Sequence, residues 1–108
     1  MGAKKKAEKY EESYDIIIYK GVTEFLLNDL NKSIFTLQYS LLLVKKEQKL
    51  NDDEKKYLKY YILNILLKIF NIKKEFHNIE KYEFIFKNIQ FERNNVRKRL
   101  KEWFPSKL

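Results

Sequence analysis

The fold of this chain is decided by residues 51–75, which read NDDEKKYLKYYILNILLKIFNIKKE. Asn51 is followed three residues later by Glu54, which is the spacing of a capping box at the start of a helix. Asp52 and Asp53 add negative charge to the first turn, where the helix dipole favours it. The stretch therefore predicts a helix that begins at about residue 52.

The body of this helix is apolar around most of its circumference. Between residues 57 and 72 the polar side chains are Lys59, Asn64, Lys68 and Asn71. The last three fall on one narrow stripe with Glu75, and a helix of this kind is enclosed by neighbours on several sides. We expect a central helix of a bundle, or a helix that a second subunit helps to cover in a homodimer through residues 52–75. It is too short and too rich in Lys to span a membrane, which takes about 20 apolar residues.

Three other stretches have helical patterns, over residues 7–30, 33–48 and 78–104. Two Gly and one Pro in 108 residues argue against a sheet built on tight hairpins. Gly21 lies inside the first of these stretches and marks either a kink or a close approach of two helices.

The predicted fold class is all-α, a compact bundle of about four helices. Alternation of apolar and polar residues leaves one alternative open, an α+β fold with strands near residues 33–44 and 80–91. We expect a single domain over residues 1–108, with short flexible tails at 1–6 and 106–108.

The charge of the chain is unevenly distributed. Residues 1–54 hold nine Lys and ten Asp or Glu, whereas residues 55–108 hold eleven Lys, three Arg and five Glu. The whole net charge of +8 therefore comes from the second half. Part of the Lys content follows from the Lys-, Asn- and Ile-rich composition, but composition does not explain the difference between the halves. Such asymmetry favours an anionic partner.

The three arginines of the chain lie in one short basic cluster. We name as candidate nucleic-acid-binding residues Arg93, Arg97, Lys98, Arg99 and Lys101. On a continuous helix Arg93, Arg97 and Lys101 form one ridge, and guanidinium groups bind phosphate well because their planar fork donates two parallel hydrogen bonds. The competing interpretation is a solvated helix end, because cations near a helix C-terminus are stabilising.

Catalytic signatures are missing from the sequence. The chain has no Cys and a single His, His77, so no zinc site and no cofactor is expected. Gly2 and Gly21 are too far apart to form a Gly-rich phosphate loop. We therefore expect a non-catalytic binding protein rather than an enzyme.

Two main functions remain open at this point, and peripheral attachment to an anionic membrane through the basic half is a third. The first is sequence-independent association with RNA or DNA through the C-terminal helix. The second is a protein–protein interaction module, such as an adaptor, an inhibitor, an immunity protein or a small subunit, using the apolar helix 52–75 or binding an acidic protein surface. A cytoplasmic location is expected. The C-terminal Ser106-Lys107-Leu108 matches a peroxisomal import signal, which has meaning only in a eukaryote.

Overall fold

The computed structural model of the chain describes residues 12–105, which form helices joined by short turns. The helices are α1 (Tyr14–Leu26), α2 (Leu30–Lys46), α3 (Asp52–Lys73), α4 (Phe76–Lys87) and α5 (Lys98–Trp103), with a 3₁₀ turn at Arg93–Asn95. No strand occurs among the described residues, so the all-α prediction is confirmed and the strands considered near 33–44 and 80–91 are not formed. The predicted tails at 1–6 and 106–108 lie outside the described residues.

Helix α3 begins with the capping box that the sequence predicts. The Asn51 side-chain oxygen accepts a hydrogen bond from the backbone N–H of Glu54 at 2.8 Å, and the Glu54 carboxylate accepts one from the backbone N–H of Asn51 at 3.0 Å. Two N–H groups that have no partner inside the helix are satisfied in this way. The helix ends where Lys74 adopts the left-handed conformation, with φ of 57°.

The core of the protein is built around α3. Helices α2 and α4 pack on it, and α1 packs on α2. The buried apolar residues of α3 are Tyr57, Leu58, Tyr61, Ile62, Leu63, Ile65, Leu66, Ile69 and Phe70. One chain therefore buries most of the apolar surface of this helix and leaves Ile72 57% exposed.

The helix termini fall at two ends of the bundle. Because short turns join α1 to α2 and α3 to α4, consecutive helices run antiparallel. The amino group of Lys73, at the end of α3, contacts the side-chain oxygen of Asn31, at the start of α2. Near the middle of the bundle the amide of Gln38 donates to the hydroxyl of Tyr82 at 2.9 Å and joins α2 to α4.

Within residues 12–105 no helix has the length and apolar character needed to cross a membrane.

Gly21 allows α1 and α2 to approach closely. A Cβ atom at this position would lie 2.6 Å from Cδ2 and 2.7 Å from Cγ of Leu37, which is fully buried. The backbone carbonyl of Gly21 also accepts a hydrogen bond from the hydroxyl of Ser33 at 2.7 Å. The sequence left open a kink or a close approach, and the structure shows the close approach.

The last predicted helix is wrong in one respect. The sequence pattern predicts one helical element from about residue 78 to 104, with its apolar row interrupted near Glu92 and Arg93, whereas in the structure α4 ends at Lys87 and α5 begins at Lys98. Between them the chain turns so that Val96 enters the core, followed by Leu100 and Phe104. The hydrogen bonds responsible for this break involve the first turn of α3 and are described below.

We predict that Gly21→Ala lowers the free energy of unfolding by about 1–2 kcal/mol. Overpacking against Leu37 costs about 1–3 kcal/mol, and the higher helix propensity of Ala returns part of it. Urea unfolding followed by circular dichroism measures the change. The matched control is Thr23→Ala, an exposed site in the same helix, which should be neutral or slightly stabilising. A neutral or stabilising effect of Gly21→Ala would contradict the close approach.

Candidate anion-binding surface

The predicted basic cluster does not form a single helical ridge. Arg93 lies in the 3₁₀ turn, Arg97 is the residue before the first turn of α5, and Lys98, Arg99 and Lys101 lie within that short helix. Because the chain changes direction between Arg93 and Arg97, four-residue spacing no longer places these side chains in one row. The five residues are close in sequence, but the structure places their side chains in different surroundings.

Arg97 is held by the buried carboxylate of Glu54. Its Nε donates to Glu54 Oε2 at 2.6 Å and its Nη2 donates to Oε1 at 3.3 Å, while its backbone N–H donates to Oε2 at 3.1 Å. The same Nη2 also donates to the backbone carbonyl of Lys49 at 3.2 Å. The Glu54 side chain is only 2% exposed. The planar fork that would have served a phosphate group is thus already used by an internal carboxylate.

Further hydrogen bonds hold the segment between α4 and α5 against the start of α3. Asp53 accepts hydrogen bonds from the backbone N–H of Glu92 at 3.0 Å and from the side-chain amide of Asn95 at 2.8 Å. The side-chain amide of Asn51 donates to the backbone carbonyl of Asn95 at 2.9 Å. Backbone groups that a continuous helix would pair internally are satisfied by the first turn of α3 instead, which is why the last helix is interrupted.

The same contacts shift the pKa values of the two acids. Burial alone raises the pKa of the Glu54 carboxyl, but hydrogen bonds from the Arg97 side chain and from the backbone of Asn51 and Arg97 outweigh it, so the pKa lies below its ordinary value. The hydrogen bond from Asn95 lowers the pKa of Asp53, with a further contribution from the backbone of Glu92. Both acids therefore stabilise the folded state in their charged form.

The other cluster residues have local partners of several kinds. Lys101 Nζ donates to the backbone carbonyl of Arg93 at 3.3 Å, and the Arg93 guanidinium lies 5.6 Å from the ring centre of Tyr57. The Arg99 guanidinium stacks over the Trp103 ring at 4.1 Å, and Lys98 is exposed. A small cleft here is lined by Tyr14, Asp15, Lys49, Arg97, Arg99, Leu100 and Trp103. Its cations are accompanied by Asp15 and by Glu54 behind Arg97, so its net positive charge is small.

A second surface has a stronger excess of positive charge. A groove between the end of α2 and the start of α3 is lined by Leu41, Leu42, Val44, Lys45, Lys55, Lys56 and Lys59. We call it the lysine groove. None of its lining residues is acidic, and no described carboxylate lies within salt-bridge distance of its four lysines. Lys55 donates to the backbone carbonyl of Lys45 at 2.8 Å, at the negative end of the α2 dipole.

The lysine groove continues across α3 toward α4. Lys56 and Lys59 also line an adjoining hollow, whose other lining residues are Phe84, Ile85, Asn88, Ile89 and Gln90. We call this second part the α4 hollow. It contains no acidic residue either, and its Phe84 side chain is 72% exposed. The two hollows together form one cationic surface that draws on α2, α3 and α4.

Sequence reasoning missed this surface because three helices contribute to it. Part of a signal was present, since Lys55, Lys56 and Lys59 have the three- and four-residue spacing of neighbours on one helix face. Lys45 lies 10 residues before Lys55, and Phe84 lies 25 residues after Lys59. No sequence pattern indicates that either residue is close to that helix face.

Comparison of the chain with protein-family models, curated proteins and solved structures gives no match. Among the described residues, no group of three or more His, Cys, Asp or Glu side chains is placed to hold a metal ion.

We predict that Glu54→Gln lowers the free energy of unfolding at pH 7 by about 2–3 kcal/mol, because the charged Arg97 then faces a neutral amide. The stabilisation from a carboxylate with a lowered pKa is complete above its ordinary value of 4.5 and is lost as the pH falls through the lower folded value. The difference in the free energy of unfolding between wild type and variant should therefore become smaller as the pH falls from 5 to 3.

Urea unfolding at pH 7, 5 and 3 measures this dependence. Glu80→Gln, at an exposed site on α4, removes the same charge and serves as the matched control, with little change expected at pH 7. If Glu54→Gln unfolds like the wild type at pH 7, the buried carboxylate does not hold the C-terminal segment.

Proposed function

We propose that this protein binds nucleic acid without catalysis, through the phosphate backbone and independently of sequence, and that the lysine groove provides the main contact. The observation that carries this proposal is the set of four lysines, Lys45, Lys55, Lys56 and Lys59, around one groove with no acidic residue in its lining. Positive charges that line one groove without an acidic residue among them favour an anionic ligand, since its binding relieves their mutual repulsion.

The chemistry of lysine accounts for the expected kind of binding. Each ammonium group is a compact charge on a flexible stem, so it neutralises a phosphate without reading a base edge. Affinity then depends on release of counterions and falls steeply with salt, with a slope of about 0.7 per phosphate neutralised on a single strand and about 0.9 on a duplex.

The C-terminal cluster takes a smaller part in this proposal. Arg97 is engaged by Glu54, and Arg99 is stacked on Trp103. Lys98 and Arg99 are exposed and extend the positive field, whereas Arg97 fixes the position of the segment. The predicted binding residues Arg93, Arg97, Lys98, Arg99 and Lys101 thus divide into supports of the fold and secondary contacts.

We predict that a triple change of Lys45, Lys56 and Lys59 to Gln weakens binding to a mixed-sequence RNA or DNA oligonucleotide by at least tenfold at low salt. The salt slope should fall by about 2, since up to three phosphate contacts are lost. Fluorescence anisotropy with salt titration measures both quantities. Lys55 is left unchanged because it also bonds the end of α2.

A matched control removes three charges elsewhere. Lys20, Lys32 and Lys74 are exposed and outside both hollows, so changing them to Gln should weaken binding no more than two- to threefold. Changing Lys98 and Arg99 to Gln tests the C-terminal cluster without disturbing Arg97. Absence of wild-type binding at low salt, or equal losses in the two triple variants, would contradict the proposal.

A second candidate function is self-association at one end of the bundle. Leu26 and Leu27 at the end of α1, and Ile72 and Phe76 beside the turn between α3 and α4, are exposed large apolar side chains. Contact between Lys73 and Asn31 places both turns at this end. Ile72 is the apolar residue of helix 52–75 that stays more than half exposed, so the homodimer considered for that helix is retained here with a second copy of the chain as partner.

Sedimentation equilibrium tests this second function. Self-association at this end predicts a dimer at micromolar concentration, which becomes a monomer when Leu27 and Phe76 are changed to Ser. A wild-type monomer throughout the concentration range would exclude it.

A further inference from the structure

We infer that the nucleic acid bound here is single-stranded and that Phe84 is a platform on which one of its bases stacks. This inference rests on the proposed function and names its ligand class. It starts from an exposed aromatic side chain: Phe84 is 72% exposed, in a hollow that it shares with Lys56 and Lys59 and that no acidic residue lines. The hollow at Phe35, with Lys20 and Lys32, is lined by Glu24 as well.

The ring of Phe84 is presented by α4, which packs on α3 through half-buried side chains. Tyr60 of α3 stacks on Phe86 with ring centres 4.5 Å apart and meets Phe91 edge to face at 5.9 Å. The backbone carbonyl of Phe84 accepts a hydrogen bond from the Asn88 side chain at 2.7 Å, which closes the last turn of α4. The backbone under Phe84 is thus held in place while its ring stays accessible to solvent.

Cations and an exposed aromatic ring in one hollow match the two parts of a nucleotide. Lys56 and Lys59 supply charge for the phosphate, and Phe84 supplies a flat apolar face for the base. Proteins that bind single strands without sequence preference combine a positive groove with such stacking faces. Gln90 in the same hollow carries an amide that is able to donate and accept hydrogen bonds at a base edge.

A duplex would not use this arrangement fully. Its bases are stacked on one another, so their faces are covered except at the ends, and its phosphates would meet only the lysines. A single strand offers unstacked bases as well as phosphates. The presence of Phe84 beside the lysines therefore favours a single strand over a duplex.

The test compares three ligands with the same number of phosphates and two variants. The ligands are oligo(dT), an abasic deoxyribose oligomer of equal length and an oligo(dA)·oligo(dT) duplex. The variants are Phe84→Leu and Phe35→Leu, the second being a matched control because Phe35 is 76% exposed and lies on α2 outside both hollows. Both changes are at exposed sites, so folding should be unaffected.

We expect the wild type to bind oligo(dT) about tenfold more tightly than either other ligand, as one stacked base contributes. Phe84→Leu should remove this difference and leave duplex binding unchanged, and Phe35→Leu should resemble the wild type. Phe84→Trp should retain or strengthen the preference.

Other outcomes overturn the inference in distinguishable ways. If all three ligands bind equally, or if Phe84→Leu and Phe35→Leu act alike, stacking is excluded while nucleic-acid binding stands. If no nucleic acid binds at low salt, the proposed function fails together with the inference. Tighter binding of an acidic amphipathic peptide than of oligo(dT) would assign the hollow to a protein ligand instead.

Discussion

The carboxylate of Glu54 is the constraint on which the rest of the structure depends. It accepts hydrogen bonds from the backbone of Asn51, from the backbone of Arg97 and from the Arg97 guanidinium while almost fully buried. A carboxylate in that position is tolerated only because each of these donors is present. One side chain therefore starts the central helix and fastens the C-terminal segment to it, so that Leu100 and Phe104 enter the core and the Phe104 carbonyl accepts a hydrogen bond from Tyr57 at 2.6 Å.

The pairing of Arg97 with Glu54 changes how the excess positive charge of the second half of the chain is interpreted. The most conspicuous basic residues of the chain are the three arginines, yet Arg97 serves the fold and Arg99 lies on Trp103. The lysines of the groove that has no acidic lining residue come from the middle of the sequence, at the end of α2 and the start of α3. Positive charge in the second half is therefore divided between groups that pair with a carboxylate, such as Arg97, and lysines that form no salt bridge among the described residues.

The sequence was sufficient to predict the local features of the fold. The capping box at Asn51 and Glu54 and the burial of α3 follow from short-range pattern, and both are present. The apolar row is interrupted near Glu92 and Arg93, inside the break between Lys87 and Lys98. The extent of the break was not predictable, because the groups that hold it, Asp53 and Glu54, lie about 40 residues earlier in the chain. The cationic surface was missed for the same physical reason, since Lys45, Lys59 and Phe84 meet only after three helices have packed.

An NMR titration of the ¹⁵N-labelled protein with oligo(dT) locates the anionic ligand most directly. Binding at the proposed surface shifts the backbone signals around Lys45, Lys56, Lys59 and Phe84, in the lysine groove and the α4 hollow. Residues 97–103 should shift less, because Arg97 remains paired with Glu54. The largest shifts at Arg97, Lys98 and Arg99, with none around Lys56 and Lys59, would contradict this location and return the binding site to the C-terminal cluster.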